Sequence, residues 1–539
     1  MNKKVCAILS VVLGLCSLVC GCGETASSSG KPQGEATKIV IYAGGSSEFA
    51  WVEGTEESEV IDYIEQAYYE ETGIYLDFEI NYVGSDLTTP MTNAIVGGDQ
   101  IDIAISHTRG GAGIDDTVVG NDWYYDITED LETYGENILE HIQGEPIEAL
   151  TTVDNEVIGI PSVISPYKFG ILVRKDWMEA CGYTDNEAKA QEEYAAGVKY
   201  KLVDNIEVFE EMCLKMKEKY NLNHVITGAP WDLEKVLTLG PYGDSGYFTY
   251  TTRTGADGKE TVLPGFATEE YKDVLKREYE WAKQGITSNE SEIILLEQGE
   301  KNFIAGKTGV FVLDPTVQHL IKVARRCKEI NETAEFTVLG ALTANATSTK
   351  KGFMKNTPAT FAACILKTSE NAAQIIQFMN WVYASEENYN LCRYGIEGTH
   401  WINNGDGTYS YPEGKEDYVT NPPYSGILTL VENQSVSNLT YKGYSEEEKS
   451  WIATAADENN YIQNDLINYM WPTAPDNIMK SFRQQKNTIY GRVSEAWSGR
   501  VNPSDNYTAD ISLYANGGGT AYHDYLSQQY MLMKLQRGN

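Results

Sequence analysis

Residues 38 to 80 decide the fold: Lys38-Ile-Val-Ile-Tyr42, then Ala-Gly-Gly-Ser-Ser-Glu-Phe-Ala-Trp51, then an amphipathic stretch closed by Gly73, then Ile74-Tyr-Leu-Asp-Phe-Glu-Ile80. The first block is a short apolar run of strand type. In the third, Val60, Ile61, Ile64, Ala67 and Tyr68 recur at helical spacing, and Gly73 is a stop signal. In the last, Ile74, Leu76, Phe78 and Ile80 alternate with Tyr75, Asp77 and Glu79, a period of two. Strand, polar loop, helix, strand is the unit of an open α/β sheet, and such sheets bind ligands beyond the carboxyl ends of their strands. The loop over 44–51 lies at such an end and is expected to line a cleft.

The same unit recurs downstream. A helix is predicted over 88–96, ended by Gly97-Gly98. The short buried strand Ile101-Asp-Ile-Ala-Ile105 then opens into a second polar loop, Ser106-His107-Thr108-Arg109-Gly110-Gly111. A helix starts at 126–131, and 153–161 reads as a hairpin with an Asp-Asn turn. A strand follows at 167–173, then a helix opening at Arg174-Lys-Asp-Trp177 with Asp176 as its cap. Residues 184–200 are an acidic surface excursion. Helices at 206–220, 271–284 and 297–304, a two-stranded excursion at 247–262, strands at 306–312 and 360–366, and a helix at 369–384 complete the pattern. Alternating strands and helices argue for an α/β fold. No fixed-period repeat is present.

A chain of 539 residues has room for two or more domains. Its net charge of -36 repels nucleic acid and anionic lipid, so neither is expected as a partner. A polyanionic ligand would need a local cationic pocket. The 36 tyrosines and 10 tryptophans suit either packing or flat faces for sugar rings.

At the N-terminus, Met1-Asn2-Lys3-Lys4 is basic, and 5–19 is an apolar run of signal-peptide length, too short and wrongly flanked for a membrane span. Val19-Cys20-Gly21-Cys22-Gly23 resembles the bacterial lipobox, with Cys22 as the lipidated residue and Cys20 an unusual neighbour before it. Residues 1–21 are therefore expected to be removed, and 22–37, Ser/Gly/Pro-rich after the cysteine, to act as a flexible tether. No later apolar run approaches the ~20 residues of a span. Cys181, Cys213, Cys327, Cys364 and Cys392 are widely spaced, odd in number and without a CxxC, so a disulfide framework or zinc site is not expected.

Several phrases in order resemble the extracellular solute-binding proteins of ABC importers, the family that includes maltose- and oligosaccharide-binding lipoproteins. They are Glu70-Glu-Thr-Gly-Ile-Tyr75; Gly98-Asp-Gln-Ile-Asp-Ile103, with Ile101 where proline is usual; and Gly159-Ile-Pro161 followed by Leu172-Val-Arg-Lys-Asp-Trp177. Phe303-Ile-Ala-Gly-Lys-Thr-Gly309 and the helix at 375–386 followed by Tyr394-Gly-Ile-Glu-Gly-Thr-His-Trp401 complete the set. The resemblance covers roughly residues 22 to 410 and is carried by order and spacing. It implies a two-lobe periplasmic-binding-protein-like fold with discontinuous lobes, a hinge and an interlobe cleft. Lobe 1 would be 38–165 and 356–400, and lobe 2 would be 166–355 and 401–539.

The candidate ligand-binding residues follow. Loop one offers Gly45, Ser46, Ser47, Phe49 and Trp51: glycine lets backbone approach closely, serine bonds hydroxyls, and Trp51 offers a stacking face. Loop two offers Ser106, His107 and Arg109, the arginine suited to vicinal hydroxyls or a carboxylate. From lobe 2 come Tyr167, Trp231 and Asp314, and near the last crossing Trp401. Each is equally compatible with ordinary packing. Asp102, flanked by apolar strand residues, is expected to fix backbone.

No GxSxG, HExxH, P-loop, GxGxxG or zinc spacing is present, so no catalytic residue, metal or cofactor is expected. Asp185-Asn186-Glu187 lacks the alternating acids of a calcium loop. The expectation is a monomeric lipoprotein on the outer face of the bacterial cell membrane, held there only by its lipid. It would capture a carbohydrate, an oligosaccharide, for ABC-permease import. The alternatives are a peptide or other polar-solute binder and a surface glycoside hydrolase or lyase.

Overall fold

The computed structural model describes residues 35–44, 53–84, 86–108, 114–238, 250–255, 258–290, 296–349, 352–355, 359–462, 464, 466, 469 and 474–537. Gly45, Ser46, Ser47, Phe49 and Trp51 of loop one, Arg109 of loop two and the lipidation candidate Cys22 lie outside the described residues.

Two α/β lobes make the fold, each built on one sheet. In the first sheet, Thr37–Gly44 runs parallel to Leu76–Gly84 on one side and to Ile103–His107 on the other. Phe361–Ile365 adds antiparallel to the latter, and Ile160–Pro161 forms the edge. Ile39, Val40, Ile41 and Ala43 are all buried, as an interior strand covered on both faces requires. Gly73 (φ 73°) adopts the left-handed conformation that ends the helix Glu57–Thr72, and its N–H returns to the Tyr69 carbonyl at 2.8 Å. Tyr68 meets Phe378 and Trp381 of the helix Ala372–Val382 edge-on, with centroids 5.3 and 5.4 Å apart. Asp102 accepts from Val40 N (2.9 Å), Ser369 Oγ (2.5 Å) and Asn371 Nδ2 (3.0 Å), tying three segments together.

The second sheet is ordered Ile226–Thr227, Val310–Phe311, Ile171–Arg174, Phe336–Leu339. Its strands are short, so helices supply the core. Phe209, Met212, Cys213 and Met216 form one face of Ile206–Tyr220, and Trp281 of Glu269–Gln284 joins the same cluster. Asp176 is not the helix cap its position suggests. It forms a two-point bond to Arg174 (2.9 and 2.7 Å) and so holds that guanidinium 4.4 Å over the Trp177 ring. The hairpin Tyr250–Thr254 and Glu260–Pro264 and the helix Glu269–Gln284 pack against Asp476–Trp497, Pro503–Tyr514 and Thr520–Gln536 in a further core. The last of these helices reaches back to the first lobe, where Arg537 bonds the Glu148 carbonyl (2.8 Å) and carboxylate (3.3 Å).

The chain passes between the sheets three times. Residues 162–169 lead from Pro161 to Ile171. The second passage leads from Leu339 back to Phe361. The third passage follows Val436: Tyr424, Ile427, Leu428, Leu430, Val431 and Val436 all belong to the first core, although the boundary was expected at 400. The physical reason is a clasp. Glu57 accepts from Gly54 N (2.8 Å), Ser425 N (3.1 Å) and Ser425 Oγ (2.9 Å), and a Cβ on Gly54 would lie 1.9 Å from the Pro423 carbonyl oxygen. The first passage pairs directly with the segment that leads up to the third, Val163 N to Glu432 O (2.9 Å) and Gln434 N to Val163 O (2.8 Å).

Cys181, Cys213, Cys327, Cys364 and Cys392 are buried and unpaired, and burial pushes the Cys327 thiol up to about 12. Among the described residues, no helix is long and apolar enough to cross a membrane.

A candidate ligand site between the lobes

The passages leave the first sheet at the His107–Phe361 end and enter the second at the Phe169–Asp314 end, so these two ends border the gap between lobes. The first wall is small and polar. Ser106 is buried, with Oγ 3.1 Å from His107 Nδ1, and His107 is half-buried. A Cβ on Gly44 would meet Ser106 Oγ, Leu87 Cβ and Gly84 O, each at 3.3 Å, so a side chain there would crowd the neighbouring strand end. Thr108 Oγ1 donates to Ala359 O (2.7 Å), which fixes the landing of the second passage beside this loop.

The second wall is aromatic and charged. Thr227 and Phe311 end adjacent parallel strands, and each runs on into the wall: Gly228-Ala-Pro-Trp231-Asp232 from one, Val312-Leu313-Asp314 from the other. Pro230 opens a short helix, where its missing N–H costs nothing, and leaves Trp231 half-buried. Asp314 is held at φ 54°, unusual for a residue with a side chain, with Thr316 Oγ1 donating to its Oδ1 at 3.2 Å. Tyr167 sits edge-on to Tyr461 (5.0 Å) with Lys355 Nζ 5.7 Å from its ring centre. The structure thus brings Tyr167, Trp231 and Asp314 to one end of the second sheet, and Ser106 and His107 to one end of the first. Trp401 is placed otherwise. It is 3% exposed, donates Nε1–H to Gly395 O (2.9 Å) and packs on Tyr394, so its indole is engaged in packing.

Two features escaped the sequence reading. The first is Asp232. Its carboxyl is pushed up to about 6, by burial first and by the Asp314 charge, against the pull of Lys235 at 3.3 Å. Behind it, Tyr271 OH donates to Glu234 Oε1 (2.5 Å) and Thr238 Oγ1 to Glu278 Oε1 (3.3 Å), so the turn carrying Trp231 and Asp232 is anchored from the rear. An acid next to a tryptophan gives no sequence signal of burial.

The second is a tyrosine row. Ile402–Asn403, Thr408–Ser410 and Thr440–Tyr441 make a three-stranded sheet, flanked by Tyr394 at the end of a first-lobe helix and by Tyr444, which packs on the second-lobe core. On it, Tyr394, Tyr409, Tyr411, Tyr441 and Tyr444 touch in sequence, with centroids 4.9 to 5.7 Å apart. Arg393 pairs with Glu432 (3.1 Å) at the first-lobe end, and Arg325 pairs with Glu448 through two bonds (2.7 and 2.8 Å) at the other. The rings are half-buried, yet loss of water pushes Tyr394 and Tyr411 up to about 12 and Tyr409 well above the usual phenol range. These tyrosines are scattered over fifty residues without a period, which hid them.

Among the described residues, no cluster of three His, Cys, Asp or Glu side chains could hold a metal ion. The Asp185 carboxylate is taken by Thr337 Oγ1 at 2.5 Å.

No protein-family profile matches the sequence, and no curated protein is significantly similar to it. Solved structures do match. The fold is that of extracellular solute-binding proteins. One is an N-glycan transport solute-binding protein from Streptococcus pneumoniae in complex with Man1GlcNAc, at 14% identity over 92% of this chain and 99% of that one, TM-score 0.63. A second is an ABC-transporter-associated protein from Bifidobacterium longum infantis that binds HMO, at 12% identity, 92% and 99% coverage, TM-score 0.63. A third is an ABC-transporter substrate-binding protein from S. pneumoniae in complex with kestose, at 13% identity, 93% and 100% coverage, TM-score 0.60.

Proposed function

We propose that this protein captures an oligosaccharide between its lobes and delivers it to an ABC permease, without chemistry of its own. The observation that carries the reading is the grouping, at one end of the second sheet, of the half-open rings of Tyr167 and Trp231 with the carboxylates of Asp232 and Asp314, which can accept hydrogen bonds from hydroxyls. It occurs in a fold whose solved neighbours are titled as glycan and fructan binders. Sugar rings present apolar faces and hydroxyl edges, and such a site matches both. The contacts would come from Ser106 and His107 on one wall and from Tyr167, Trp231, Asp232 and Asp314 on the other. Loop-one residues Gly45, Ser46, Ser47, Phe49 and Trp51, together with Arg109, would complete the first wall. Ligand that touches both walls favours the closed state by its extra contacts there.

On this reading, residues 1–21 are removed, Cys22 carries lipid, and 22–37 tether a monomer to the outer face of the membrane. Cys22→Ser would then release the protein from the membrane fraction.

The test is a thermal-shift panel of mannose–GlcNAc glycans, fructans, milk oligosaccharides, peptides and amino acids. A ligand at a hundred times its Kd stabilises by about 2.7 kcal/mol, a shift of a few degrees in Tm. Oligosaccharides are expected to give that shift. A response to peptides alone would overturn the carbohydrate reading. Product formation that survives purification and is lost on replacing Asp232 or Asp314 would overturn the absence of chemistry.

A further inference from the structure

We propose that the tyrosine row on the bridging sheet is a stacking platform that extends the second wall and holds additional sugar rings, so that the site reads ligand length. The inference rests on the carbohydrate reading above and adds to it. Three observations carry it. The rings form one unbroken series between the lobes, and each keeps part of its surface open. The series reaches the lobe that carries the second wall, because Tyr444 packs against the same second-lobe core cluster as Trp231. And the charges at its two ends are spent internally, Arg393 on Glu432 and Arg325 on Glu448, so the platform offers ring faces and phenol edges with no net charge. A neutral, uncharged polyhydroxylated chain fits such a surface.

The competing role is mechanical. Rings that meet edge to face could simply fill the passage between the lobes and slide as they close. The two roles separate by ligand length. A platform affects long ligands only, since a disaccharide is held by the two walls alone. A sliding surface affects every ligand that needs closure.

The experiment measures Kd by calorimetry for wild type, Tyr411→Leu, Tyr441→Leu and Tyr411→Phe against a size-graded series, disaccharide to hexasaccharide, of whichever fructan, mannose–GlcNAc or milk series shifts the wild type. Leucine keeps apolar bulk and removes the ring. Each leucine variant should weaken hexasaccharide binding about tenfold, the scale of one aromatic contact, and leave the disaccharide within about twofold. The phenylalanine variant should retain the wild-type length dependence, and it keeps the test alive if a leucine variant melts early. Equal weakening at every length, or none, would overturn the platform, as would a phenylalanine variant that loses the length dependence. Failure of every series to bind the wild type would instead overturn the carbohydrate reading, and that is visible before any variant is made.

Discussion

The two walls of the interlobe gap differ in kind. The first is made of strand ends in a five-stranded sheet, with Ser106 buried and its neighbours locked by Gly44 and the Thr108–Ala359 bond. The second is made of short turns after two-residue strands, with Trp231 and Tyr167 half-open and Asp232 desolvated beside Asp314. A rigid polar wall fixes where a ligand sits. On the proposed function, an aromatic and charged wall would supply most of the binding energy and the selectivity. The comparison assigns affinity to the second lobe and register to the first.

Asp232→Asn should have the largest effect on binding. Losing a buried charged acceptor costs about 2–3 kcal/mol, so calorimetry should show Kd rising about a hundredfold. Stability should move the other way. The folded carboxyl is raised from 3.8 to about 6, so its favourable contribution is full below the unfolded value and is lost as pH rises through about 6. At neutral pH the ionised, buried group therefore costs about 3 kcal/mol. The asparagine variant should be more stable than wild type above pH 6, with the advantage gone near pH 4, in denaturant titrations across that range. Ligand affinity of the wild type should fall as pH drops below 6, because the acceptor is then protonated.

Trp231→Ala should come next, weakening binding about tenfold through loss of one stacking face, with Tm little changed because the ring is already half-open. Ser106→Ala should cost about 1 kcal/mol, near fivefold in Kd. A loss at Ser106 larger than that at Trp231 would reverse the assignment of roles. The smallest effect should come from Arg537→Ala, which removes the contact of the last helix with Glu148. Its pair is partly exposed, so stability should shift by under about 1 kcal/mol, while amide exchange around 148–153 should speed up.

Much of the fold was legible. The alternation at 74–80, the stops at Gly73 and Gly98, and the helices at 206–220 and 271–284 all rest on local signals, which tertiary contacts only reinforced. The course of the chain after 400 was not. It depends on Gly54 meeting Pro423 and on Glu57 gathering Ser425, contacts between residues some 370 apart that have no local trace. The site divides the same way. Strand ends point to Ser106 and Asp314 because the sheet topology places them. Trp401 follows the same positional logic, yet Gly395 captures its indole. Asp232 and the tyrosine row needed the burial and the neighbours that only three dimensions supply.

Small-angle X-ray scattering with and without the oligosaccharide that shifts Tm tests the two-wall claim most directly. A ligand held by both walls should draw the lobes together, giving a smaller radius of gyration at saturation and the same contraction, at higher ligand concentration, for Trp231→Ala. An unchanged radius at full saturation would mean that the sugar sits on one lobe alone, and the account of paired walls would be wrong.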